Sequence, residues 1–176
     1  MPFDEPWYVE SQAEAFAILQ LTNRADVSVA RTPRLPGLDL LLSLTGGYGQ
    51  VRHFGVVVVP RVTAAEPASI EPERIERDQG FFGEVAFPVL MVSFAADEPA
   101  GEFRWIAEPQ TQTGRPMLVL NSSREFRPLT QDVLARVFRQ IEEWYECRAD
   151  QVRRVPLGVS ALSSHGSEFP RRRRAG

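Results

Sequence analysis

Residues 36–62, PGLDLLLSLTGGYGQVRHFGVVVVPRV, constrain the fold of this chain more than any other stretch. Two apolar runs are joined by Gly46-Gly47-Tyr48-Gly49, a turn composition that predicts a β-hairpin with strands over 38–44 and 52–59. The run Val56-Val57-Val58-Val59 has no polar side chain, and Pro60 stops it. One acid, Asp39, interrupts the first run directly after Pro-Gly-Leu. A lone carboxylate at the mouth of an apolar strand has two readings. It is a residual metal ligand, or it follows a Pro-Gly turn and caps backbone amides.

The remaining elements arrange themselves around that hairpin. Residues 7–22 read as a helix, with Val9, Ala13, Phe16 and Ala17 near 3.6-residue spacing and Gln20 blurring the end of the stripe. Its start is ambiguous: Pro6 suits a first turn, whereas Ser11-Gln12-Ala13-Glu14 has capping-box spacing. Residues 27–31 alternate as a short strand. Residues 70–78, IEPERIERD, have a charged helical pattern, and 79–87 bring Phe81, Phe82, Val85 and Phe87 onto the sheet. Residues 89–95, VLMVSFA, are continuously apolar and read as a buried central strand, with 103–107 as its antiparallel partner. A further short strand is expected over 117–121. Thr130 is the expected N-cap of a helix from Gln131 to about Arg148, whose stripe is Val133, Leu134, Val137, Phe138, Ile141, Trp144 and Tyr145. The pattern is a mixed α/β chain: one central mixed β-sheet flanked by helices, in a single domain over 1–154, with 155–176 as a C-terminal extension.

Composition excludes several chemistries. All 20 basic residues are arginine, so no side-chain amine exists for a Schiff base or a phosphate-loop lysine. A single cysteine, Cys147, excludes an internal disulfide and a cysteine-rich zinc site, and a structural thiol is its expected role. His53 and His165 have no partners at metal spacing. No apolar run approaches the roughly 20 residues of a membrane helix, and the acidic N-terminus has no signal-peptide character; no membrane partner and a cytoplasmic location are expected. Four arginines, Arg171, Arg172, Arg173 and Arg174, sit in the extension. Without them, residues 1–170 carry 16 arginines against 23 acids, a net charge of −7. An acidic body is a poor general binder of duplex DNA, because phosphate neutralisation dominates such affinity. The tail is either a solubilising segment or a nucleic-acid contact.

The order helix, strand, hairpin, helix, buried strand resembles the core of the PD-(D/E)XK nuclease superfamily, and in particular a small bacterial branch of unknown function. The residues that carry the likeness are Glu14 or Glu10 on the first helix, Gly37-Leu38-Asp39, Pro88-Val89-Leu90-Met91-Val92 and Phe103-Arg104-Trp105-Ile106. The likeness spans roughly residues 8–148 and implies a restriction-endonuclease-like fold. It also implies carboxylates that hold Mg²⁺ and a lysine that orients the attacking water. Where the family has Gln/Glu-x-Lys, this chain has Val57-Val58-Val59 or Val59-Pro60-Arg61. Valine ligates no metal, and Arg61 remains protonated and is no general base. Asp39, Glu14 and Arg61 are therefore the catalytic candidates, and Asp39 and Glu14 the metal candidates, of a site expected to be inactive. With no cofactor expected, the chain reads as a nuclease-fold scaffold that binds another protein subunit, in what the resemblance implies is a nucleic-acid-processing or defence assembly. Phe81 and Phe82, between Gly80 and Gly83, are the candidate contact patch. The alternatives are a divergent Mg²⁺-dependent nuclease using Asp39, a helix glutamate and a migrated ligand such as Glu84, and a nucleic-acid binder acting through Arg171–Arg174.

Overall fold

The computed structural model describes residues 7–32, 37–47, 49–66, 68 and 80–154. Within them the elements run α1 (Trp7–Leu21), β1 (Val27–Arg31), β2 (Leu40–Thr45), β3 (Val51–Arg61), β4 (Val89–Ala95), β5 (Gly101–Gln110), a 3₁₀ turn (Gln112–Gly114), β6 (Met117–Leu120), β7 (Arg127–Pro128) and α2 (Gln131–Arg154). The helical pattern at 70–78 and the arginines at 171–174 fall outside the described residues.

The described strands form one sheet in the order β1-β2-β3-β4-β5-β6, with β7 paired to β5 beyond the end of β6. β3 and β4 are parallel, and the other neighbours are antiparallel. A parallel pair cannot be closed by a tight turn, so β3 and β4 are joined by a long connection rather than a hairpin. β4 is buried at every position, which accounts for its unbroken apolar sequence.

The two faces of the sheet are covered differently. α1 and α2 pack on the first face. α1 contributes Val9, Ala13, Ala17 and Leu21 at strict fourth-residue intervals, all fully buried. The two alanines let the helix backbone approach β3 and β4 closely. Ser11 therefore lies inside α1 rather than at its start, and the capping box anticipated at 11–14 does not form. α2 begins as expected: the Thr130 hydroxyl accepts the Val133 amide at 3.3 Å. It packs Leu134, Val137, Phe138 and Ile141 against Leu42, Phe54, Trp105 and their neighbours. It also ties separate strands together: Trp144 Nε1 donates to the Met117 carbonyl at 2.9 Å, and the Tyr145 hydroxyl to the His53 carbonyl at 2.6 Å. Near its middle, Glu142 accepts from Arg24, which also pairs with Asp26 and lies 4.9 Å from the Phe138 ring centroid.

The second face carries Leu38, Val57, Val59, Val89, Met91, Ile106 and Ala107, packed under Phe82 with Phe81, Val85, Phe87 and Phe126 alongside. Phe82, expected to be partly exposed in a contact patch, is instead core. It is 2% exposed and makes an edge-on contact with the half-buried Phe81 at 5.2 Å. Residues 80–82 are helical, and the apolar rows of β3 and β4 pack against Phe82.

Two predictions follow from the packing. A Cβ on Gly101 would stand 2.5 Å from the fully buried Phe94 ring, whereas one on Gly47 meets nothing within 4 Å. Gly101→Ala should lower stability by about 1–3 kcal/mol in urea melts, with Gly47→Ala near wild type. Burial raises the pKa of the Tyr145 hydroxyl, partly offset by its bond to His53 and by Arg148. A raised folded pKa gives stability that is complete below the unfolded value near pH 10 and lost as pH climbs past it. Melting temperature should fall through that alkaline window, and Tyr145→Phe should flatten the fall.

Candidate functional site

The acid that heads β2 is engaged with the backbone. β2 pairs with β3 only as far as Leu40 opposite Val56, so the outer edge of β3 beyond that point has no strand beside it among the described residues. The Asp39 amide donates to the Val56 carbonyl at 3.0 Å. Its carboxylate Oδ2 accepts the Val58 amide at 2.6 Å. Val56 and Val58 face that edge, and by alternation so does position 60, where proline has no N–H to leave unpaired. Asp39 and Pro60 thus share one task, closing the exposed edge of β3. The residues of β3 beside Asp39 are valines, without side-chain oxygen or nitrogen.

The other nuclease-pattern residues do not gather there. Glu14 accepts from Arg31 Nε at 2.6 Å, an ion pair between α1 and the end of β1. Arg61, expected as an exposed strand end, is 6% exposed. It follows Val57 and Val59 on the second face, and its Nη1 reaches the Glu102 carboxylate on β5 at 3.4 Å and the Glu66 carbonyl at 3.0 Å. Among the described residues, no three His, Cys, Asp or Glu side chains come together at metal-binding range. Glu84 is exposed in the loop before β4.

Two further features stand out. On the second face, the ends of the strands carry a polar row inside an apolar surface: Arg61, Ser93 and Arg104 are all buried, with Glu102 beside them. Arg104 donates Nε to the Met91 sulfur at 3.3 Å and Nη1 to the Ser123 carbonyl, and its guanidinium lies 5.9 Å from the Phe126 ring. Burial lowers its pKa, and Arg124 adds to that effect. The signal for this row was present in the sequence: serine within VLMVSFA and arginine within FRWIA are polar residues inside runs too apolar to be solvent faces.

On the first face, a cleft of about 480 Å³ opens between the N-terminal half of α2 and the β5–β7 edge. Phe103, Trp105, Val133 and Val137 line it, with Arg127 and Arg136 on its rim. Arg127 lies 4.9 Å from the Phe103 ring centroid. The rim carboxylate Glu108 is met by Gln140, which also donates to the Pro109 carbonyl at 2.8 Å. The positive end of α2 faces the same cleft, through Thr130. Against known proteins, no protein-family model matches this chain and no curated protein matches it.

The edge-cap role separates two substitutions. Asp39→Ala strands the Val58 amide and should cost about 1 kcal/mol, while Asp39→Asn keeps an acceptor and should cost less than half of that. Equal losses in denaturant melts would remove the cap reading.

Proposed function

We propose that this chain is a non-catalytic nuclease-fold module whose work is to dock a partner protein. The observation that carries this reading is the position of Asp39. The carboxylate where the nuclease pattern needs a metal ligand is engaged with the Val58 amide, beside valines that offer no second ligand. Glu14 is paired with Arg31, and the guanidinium of Arg61 reaches across to β5. The order helix, strand, hairpin, parallel central strand also supports the nuclease-like scaffold.

The cleft beside α2 is the docking face in this reading. Its apolar floor takes an aliphatic or aromatic side chain, and Arg127, Arg136 and the helix N-terminus favour carboxylates next to that anchor. The partner is therefore a protein segment with an apolar anchor flanked by acids. Arg127 and Arg136 outnumber Glu108 on this rim, which favours an acidic flank on the partner.

Two experiments test the proposal. Wild type and Asp39→Ala are incubated with labelled single- and double-stranded DNA and RNA in Mg²⁺ and then Mn²⁺. No cleavage by either is expected, and Asp39-dependent cleavage would establish the nuclease alternative instead. Peptides selected on the protein from a displayed random library should carry an apolar residue beside acids. The double variant Arg127→Glu, Arg136→Glu should weaken them at least tenfold, about 1.4 kcal/mol. Selected peptides that are basic, or that bind the double variant equally well, would move the docking face elsewhere.

A further inference from the structure

We infer that the second face of the sheet holds a buried site for a small oxyanion or carboxylate, built by the guanidinium of Arg61 and the hydroxyl of Ser93. Arg61 sits on β3 opposite Ala95, and Glu102 sits on β5 opposite Ser93. The contact between Arg61 Nη1 and Glu102 therefore carries the guanidinium across β4, over the small side chains of Ser93 and Ala95. Ser93 is 0% exposed, and its Oγ has no hydrogen-bond partner. Arg61 Nε is also buried without one. Two orphan donors thus stand on neighbouring strands, on the same face and at the same end of the sheet.

Charge points the same way. Arg61 and Arg104 are both buried on this face, and Glu102 is the one carboxylate that reaches either of them among the described residues. Two acids in adjoining loops are engaged with backbone: Glu66 accepts the Val62 amide at 3.2 Å and Asp97 the Ala64 amide at 2.9 Å. Among the described residues the row therefore holds two arginines against one carboxylate, with two unused donors inside an apolar surround, where an uncompensated cation is costly. A bound anion supplies the missing charge and accepts both N–H and O–H. Its position at the carboxyl ends of the parallel pair β3–β4 is where ligands enter open α/β sheets. The Glu102 side chain, 35% exposed, connects the row to solvent and competes with the ligand for Arg61. This site is independent of the docking cleft on the first face.

The full chain is melted in sodium phosphate, sulfate or acetate at matched ionic strength, with chloride as reference. Saturating phosphate or acetate should raise the melting temperature by about 5 °C. The better of the two tells a tetrahedral oxyanion from a carboxylate. Ser93→Ala removes only an unpartnered hydroxyl. It should match wild type in chloride and lose at least half of the anion-induced rise. Arg61→Gln should lose all of it, and Glu102→Gln should enlarge it by freeing the guanidinium. Titration calorimetry with the favoured anion should give a dissociation constant at least tenfold weaker for Ser93→Ala than for wild type. An equal rise in wild type and Ser93→Ala, or no rise with any of the anions, would overturn the site.

Discussion

Everything in this structure depends on one pairing, the parallel register of β3 on β4. It places Val56, Val57, Val58 and Val59 alongside Leu90, Met91, Val92 and Ser93, so that the two strands are buried together on both faces. Strands of this kind have no solvent face, and their stability comes from burial and from a full ladder of backbone bonds. The arrangement demands cover on both sides. α1 and α2 supply it on the first face, and an aromatic group around Phe82 supplies it on the second. The demand also reaches the edge of β3. Because β2 begins only at Leu40, opposite Val56, the next outward amide of β3 must find another acceptor, and Asp39 is the residue in place to offer one.

That constraint supports the cap meaning of Asp39 proposed above. A charge-assisted bond at 2.6 Å holds the carboxylate against the β3 backbone. A metal ligand needs neighbours with oxygen, and the alternation of β3 puts valine beside it. The same geometry separates Arg61 from Asp39. A cation meant to meet a phosphate at Asp39 has to share that edge, and Arg61 turns onto the second face instead. On β3 the acid closes a sheet edge, the proline stands where no donor is needed, and the arginine serves the second face.

Much of this was legible before any coordinates. The hairpin followed from two apolar runs and a glycine turn, β4 from its length and continuity, and α2 from a stripe of seven apolar residues behind Thr130. Strand ends and faces were harder to read. Pro60 reads as a terminator in sequence, yet β3 continues through Arg61, because proline is tolerated where its missing N–H would have faced an open edge. The capping-box spacing of Ser11 and Glu14 is local, and the burial of Val9 in the preceding turn overrides it. Phe82 was misplaced because flanking glycines describe backbone freedom and say nothing of what lies above the sheet. The α2 cleft had no signature at all. Phe103 and Trp105 come from β5 and Val133 and Val137 from α2, and no sequence window spans both.

The polar row of the second face shows why such a feature is worth separating from the core around it. A sheet face can be made stable with apolar side chains alone, as the first face is at Leu90, Val92 and Phe94. On the second face, the β4 series runs Val89, Met91, Ser93, Ala95, and the polar residue stands where Arg61 and Glu102 meet. Replacing such a group with hydrocarbon is commonly neutral or stabilising, so packing alone does not call for a buried arginine over a buried hydroxyl. Burial of the pair is intelligible if the two donors serve a third group. The first face presents the cleft, and the second face holds the arginines that are buried among the described residues.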